Sequence, residues 1–149
     1  MIWTTPQPIF DALNKKFNFT IDLCADEGNA KCEKWIARES SLSSSWDGVG
    51  TGWLNPPYGR EISMWTKKAL ESDRAIVGFL PGRTNAPWWH DHVMKAIEIW
   101  FVRRKVSFAN PDGWKGVPPW GAVVVLWSPN WHGLFPRLCQ SWDYRKVQI

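Results

Sequence analysis

Apolar residues along the 149-residue chain fall into two kinds of run. The first kind is periodic. Ile9, Leu13 and Phe17 stand four apart, so residues 8–17 predict a helix with one apolar face and Pro8 in its first turn. Residues 62–72 and 88–96 also predict helices, and 29–35 a helix start. The second kind is continuous: 19–23, a run ending at 52–54, "AIVGFL" at 75–80, 97–102, 106–108 and "AVVVLW" at 122–127. An unbroken apolar run suits a strand buried on both faces, as in a parallel sheet. Strand and helix alternate, which predicts an α/β fold: an open, mostly parallel, twisted sheet with helices on both faces. No repeat or linker interrupts the pattern, and "SSLSSSW" at 40–46 reads as a short loop, so a single domain over 1–149 is expected.

Composition adds little to the fold and something to the function. There are 13 tryptophans, and each indole N–H needs a partner when buried. Some are therefore expected along a groove or pocket. Eighteen Lys and Arg against 14 Asp and Glu leave a net charge of +4, a mild bias toward a polyanionic partner. Cys24, Cys32 and Cys139 are odd in number and follow no zinc spacing. They read as free thiols of a reducing compartment. The start "MIWTTPQPIF" lacks the basic and apolar blocks of a signal peptide, and no segment has the roughly 18 apolar residues that span a bilayer. A cytoplasmic protein with no membrane partner is expected.

In open α/β sheets, ligands bind beyond the carboxyl ends of strands. Two unusual stretches sit at predicted strand ends: "DLCADEGN" after the first strand and "NPPYG" at 55–59. The second has a specific chemical use. The exocyclic amine of an aromatic base is a poor nucleophile because its lone pair is delocalised into the ring. Two acceptors that hold its hydrogens off the ring plane free that lone pair. Asn55 offers a side-chain carbonyl and Pro56 a backbone carbonyl. Consecutive prolines fix the chain around both acceptors, the preorganisation that electrostatic catalysis requires. Tyr58 offers a flat face for stacking, worth about 1–3 kcal/mol, and Gly59 allows a sharp exit. The plain alternative is a proline turn that ends a strand.

The order of "TPQPIFDAL", "FTIDLCADEGNAKC", "WLNPPYG", "AIVGFLPGRT", "VRRKVSF" and "GAVVVLW" resembles the phage-type, Dam-like DNA N6-adenine methyltransferases over most of the chain. The resemblance implies a Rossmann-like methyltransferase fold and S-adenosylmethionine as cofactor. The substrate implied is an adenine flipped out of double-stranded DNA, and the origin a phage or prophage. It assigns Asn55, Pro56 and Tyr58 to the amine site, with Pro57 as stiffener. It makes 22–28 the cofactor loop, containing Asp22, Cys24, Ala25, Asp26 and Gly28, with Asp22 facing the methionine ammonium and Asn55 near the same ligand. Thr5 and Pro6 match a motif that seats the methionine carboxylate. Asp26 stands where many relatives have glycine. Ser40 stands where relatives often have an acid, with Glu39 the nearest carboxylate. Lys105 takes the place of an arginine.

The other candidates are weaker in chemistry. Cys24 reads as a small buried filler. His90 and His92, two apart, point to different sides of a helix, and no metal is expected. Arg103, Arg104, Lys105 and Lys115, interleaved with Trp114 and Trp120, suit a DNA surface, as do Arg83, Trp88 and Trp89. Either tryptophan of the last pair reads equally as core. The same chemistry on RNA or on a protein amide stays open, as does a non-catalytic DNA-binding remnant of the fold.

Overall fold

The computed structural model describes residues 4–109, 115–116 and 118–146. Helix α1 (Gln7–Phe17) follows Pro6 and buries Ile9, Phe10 and Leu13. It ends at Asn18, whose left-handed φ of 52° lets its N–H reach the Asn14 carbonyl. The Asn14 side chain then accepts from the Phe19 N–H at 2.9 Å, so the chain passes directly into β1 (Phe19–Ala25). The next elements are β2 (Trp35–Ala37), the four-residue α2 (Arg38–Ser41), β3 (Thr51–Leu54), α3 (Ile62–Glu71) and β4 (Ile76–Pro81). After a π-helical turn at Trp89–Val93 come β5 (Glu98–Val102), β6 (Phe108–Ala109), β7 (Lys115–Gly116), β8 (Ala122–Trp127) and β9 (Leu138–Trp142).

Seven strands form one sheet in the order β2-β1-β3-β4-β8-β5-β9, and β6 and β7 form a separate antiparallel pair. Strands β1 to β4 are mutually parallel, β8 runs against both β4 and β5, and β9 runs with β5. Every strand of the large sheet except β8 therefore points the same way. The sheet divides the core by simple alternation. Ile76 and Leu80 pack with Leu23, Leu54, Val125 and the α3 residues Ile62, Trp65 and Ala69. Val77 and Phe79 pack with Trp53, Trp100, Val124 and the α1 residues Ile9, Phe10 and Leu13. The result is a mixed α/β fold with a seven-stranded sheet and few helices.

Several expectations change. Residues 29–35 do not start a helix: they are turn and bend leading into β2. The helix expected over 88–96 shrinks to the π-helical turn. Its His92 Nδ1 lies 2.8 Å from the Thr66 hydroxyl of α3, and the Trp127 indole donates to its carbonyl at 3.0 Å. The strand expected at 106–108 is a short hairpin arm outside the main sheet. Strand β9 was not expected, because Leu138, Cys139, Gln140 and Ser141 carry no apolar run and three of the four are exposed. Tryptophan mostly builds core: Trp46, Trp53, Trp65, Trp88, Trp89, Trp100, Trp127 and Trp142 are buried.

Two cations hold the long connection into β3. Lys68 donates to the carbonyls of Ser41, Leu42 and Ser44 and lies 4.9 Å from the centre of the Trp46 ring. Arg74, only 7% exposed, donates to the carbonyls of Gly50, Trp46 and Val49 and to the Thr20 hydroxyl. Gly48 fits against that guanidinium, 3.2 Å from where a Cβ would stand, with φ 146°. Arg74→Met strands these carbonyls, that of Trp46 in a buried place and those of Val49 and Gly50 part-buried. Urea unfolding is expected to show a loss of about 2–3 kcal/mol, against about 1 kcal/mol or less for the exposed ion-pair variant Lys67→Met.

Candidate active site at the carboxyl edge of the sheet

Parallel strands deliver their carboxyl ends to one edge. The segments after β1, β3, β4 and β5 emerge there, as does the start of the reversed β8. The Gly82 N–H bonds the Gly121 carbonyl at 2.7 Å, which closes that edge between β4 and β8. Asp22 on β1 is in register with Trp53 on β3. Asn55 follows Trp53 by two residues, so by the two-residue period the three share a side. All three line one cleft. Cys24 and Asp26, at the same spacing beyond Asp22, line it as well, with Pro56 and Pro57 on the opposite wall.

Asp22 is the hub of the cleft. It is 2% exposed. Its carboxylate accepts from the Cys24 N–H at 3.1 Å and the Lys31 N–H at 2.9 Å, so it folds the 24–31 loop back over β1. Burial lifts its pKa from 3.8 to about 6, although both amide bonds pull the other way. Burial also pushes the Cys24 thiol up to about 12, with the Asp22 charge as a second cause. A thiol so held is inert near neutrality, in keeping with a filler role.

The Asn55-Pro56-Pro57-Tyr58 segment crosses from β3 to α3. Pro56 is buried, Asn55 and Pro57 are half-buried, and the Asn55 side-chain oxygen is itself buried. Tyr58 is tethered rather than free: its hydroxyl donates to the Phe79 carbonyl of β4 at 2.8 Å. Its ring meets Phe108 and Trp120 edge-on, each at 6.2 Å between centres. Burial raises the phenol well above its ordinary pKa, so it stays protonated and holds that tether.

Three further residues of the cleft carried no recognisable sequence signal: Asn29, Lys31 and Arg38. Asn29 accepts from the Asp26 N–H at 2.7 Å, Lys31 donates to Gln7 at 2.7 Å, and Arg38 lies 3.6 Å from Asp26. Among the described residues, Thr5 Oγ1 is buried without a hydrogen-bond partner, and Arg38 Nε is buried with only its ion pair to Asp26. An open hydroxyl and a guanidinium, set beside the carboxylates of Asp22 and Asp26, suit a ligand carrying both charges.

Other expected residues lie elsewhere. Pro6 precedes α1, Ala25 is packed in β1, and Gly28 is exposed with nothing within 4 Å of where its Cβ would stand. None of the three lines this cleft, and the backbone at Gly28 does not demand glycine. Glu39 and Ser40 are exposed on α2. Trp88 and Trp89 are 7% and 4% exposed. Both pack against the α3 side of the sheet and build core, and Trp88 also borders a groove lined by Arg60 and Arg83. Arg103, Arg104 and Lys105 form an exposed turn after β5, with Arg104 at φ 71°. Trp114 and the side chain of Lys115 lie outside the described residues. Among the described residues no three His, Cys, Asp or Glu come together as a metal site, and no helix is long and apolar enough to cross a membrane.

The profile of the family DNA N-6-adenine-methyltransferase (Dam) matches residues 1–138. The chain belongs to this family. No curated protein matches it significantly. Family membership makes adenine N6 in DNA the acceptor and implies a methyl donor. The match takes in both the cleft loop and the Asn-Pro-Pro-Tyr segment.

The Asp22 carboxyl has a measurable signature independent of any ligand. Its folded pKa lies above the unfolded value, so the stability it contributes is fully present below about pH 3.8 and is lost as pH rises through about 6. The shift corresponds to on the order of 3 kcal/mol. In urea titrations from pH 4 to 6.5, Asp22→Asn is expected to lack this fall. Parallel wild-type and variant curves would contradict it.

Proposed function

We propose that the protein is a site-specific, S-adenosylmethionine-dependent DNA adenine-N6 methyltransferase with a Rossmann-like fold, its sheet covered by helices on both faces. In this reading it acts on an adenine turned out of the double helix. The observation that carries the proposal is that Asn55, Pro56 and Pro57 line the same cleft as the buried Asp22 carboxylate, with Tyr58 the next residue along. The packing of α1 into one core cluster and of α3 into the other supports the fold reading.

The cofactor, when bound, supplies an electrophilic methyl group on a sulfonium. The residues that would hold it are Asp22 for the ammonium, and the Thr5 hydroxyl and the Arg38 guanidinium for the carboxylate. The enclosed part of the cleft is about 30 Å³, room for about one water. A ligand of this size must occupy the open mouth or spread the walls.

The chain's own work is on the adenine. Extrusion costs a few kcal/mol. The Asn55 side-chain carbonyl and the Pro56 backbone carbonyl accept the two amine hydrogens, and stacking on Tyr58 offsets part of the extrusion cost. The tether from Tyr58 to β4 keeps the ring still, and the prolines keep the acceptors still, so little reorganisation is left for the reaction itself. The amine proton leaves to water.

Asn55→Ala is expected to lower methyl transfer to unmethylated genomic DNA roughly 100-fold or more, with S-adenosylmethionine binding by calorimetry nearly unchanged. Equal turnover in the variant would remove Asn55 from the mechanism. Transfer to RNA or protein in place of DNA would redirect the substrate, and absence of cofactor binding by the wild type would favour a non-catalytic remnant. The charged form of Asp22 is the one that attracts an ammonium. Cofactor affinity is therefore expected to rise with pH through about 6, and to be about 10-fold weaker at pH 5 than at pH 7. An affinity flat over that range would sink the Asp22 assignment.

A further inference from the structure

A second opening lies on the other side of the Asn-Pro-Pro-Tyr segment. It is a groove of about 550 Å³ whose walls include Arg60, Ser63 and Arg83, with Ile62, Pro87 and Trp88 between them. Among the described residues no carboxylate lines it. Glu61, next to Arg60 in sequence, is exposed and is not part of its wall. Among the described residues neither Arg60 nor Arg83 makes an ion pair. Two guanidinium groups thus share one cavity with no counter-charge among the described residues.

The groove is mechanically continuous with the proposed base site. The Arg83 guanidinium lies over the Trp120 ring at 4.6 Å, and Trp120 meets the Tyr58 ring at 6.2 Å. Arg60 stands two residues beyond Tyr58. A group gripped here is therefore held at a fixed distance from the ring on which the adenine would stack. Arginine's planar fork matches the paired oxygens of a phosphate better than any other common side chain.

We propose that this groove seats a backbone phosphodiester of the strand that carries the target adenine, with Arg60 and Arg83 as its clamps and Arg60 as a positioning residue. The inference rests on the function proposed above and deepens it. Holding the phosphate beside the base site lets the strand swing its base outward while its backbone stays anchored.

The test is DNA binding by the full chain. Arg60 is exposed, so Arg60→Gln should fold normally. It is expected to weaken binding to duplex DNA about 10-fold at low salt and to reduce the slope of log K against log salt by about 1. The wild-type advantage should then shrink about 3-fold between 50 and 200 mM salt. Arg60→Lys should keep the slope and lose only part of the affinity. Lys15→Gln removes the same charge from an exposed site at the opposite edge of the sheet and should leave the slope nearly unchanged. In methyl transfer to unmethylated genomic DNA, Arg60→Gln should raise KM and leave kcat nearly intact.

An Arg60→Gln protein with wild-type affinity and slope overturns the proposal, as does an equal change in Lys15→Gln. The two readings fail separately. A wild type that binds DNA through Arg60 but transfers no methyl group defeats the catalytic reading alone. A wild type that methylates DNA with no dependence on Arg60 defeats the groove alone.

Discussion

The parallel pairing of β1 with β3, and of β3 with β4, is the constraint on which the rest of the molecule depends. Register places Asp22 beside Trp53 and Leu54 beside Gly78. From that alignment the Asp22 carboxylate, the Asn55 amide and the carbonyl that tethers Tyr58 all reach one edge. A slip of one residue in β3 would turn Asn55 to the other side of the sheet. The register is guarded by burial on both faces: Trp53 packs with α1 on one side and Leu54 with α3 on the other.

Rigidity of the connections, at the carboxyl edge and at the strand starts, comes from side-chain devices that repeat one idea. A polar side chain satisfies backbone groups of a loop and thereby fixes it. Asp22 accepts from two amides of the 24–31 loop. Lys68 and Arg74 donate to the carbonyls that lead into β3. Tyr58 donates to β4. Each loop at the edge carries backbone groups that no strand or helix pairs, and leaving those buried and unbonded is costly. The side chains meet that need and leave the loops in single conformations. Asp22 carries an added cost, since its charged form is disfavoured by burial. A cationic ligand would relieve that cost, which is why a buried carboxylate in a cleft is chemically informative.

Charge is distributed to match. Arg60, Arg83 and the Arg103–Lys105 turn all follow strands that end at the functional edge, whereas the acids of the cleft lie inside it. A polyanion approaching this edge meets the exposed cations of Arg60 and the Arg103–Lys105 turn, and the Asp22 carboxylate lies buried beneath the surface. The family's reaction, on DNA, fits that order of charges.

The α/β class, the parallel direction of the first strands and the candidate motifs were legible in the sequence. They depend on local properties: apolar runs of strand length, proline rigidity, and a carboxylate at a strand end. The helix at α1 follows from periodicity, and the strands at β4 and β8 from unbroken apolar runs. Tertiary structure decided the rest, because it concerns residues distant in sequence. β9 is an edge strand with three of its five residues exposed, so hydrophobic pattern could not mark it. The reversal of β8 depends on which neighbours it finds. Lys31 reaches the cleft because Asp22 folds its loop back, and Arg38 because β2, which it follows, pairs with β1. Trp88 and Trp89 resemble a stacking surface in sequence, yet become core once α3 lies beside them. Arg60 acquires meaning only when Arg83, more than twenty residues later, faces the same groove.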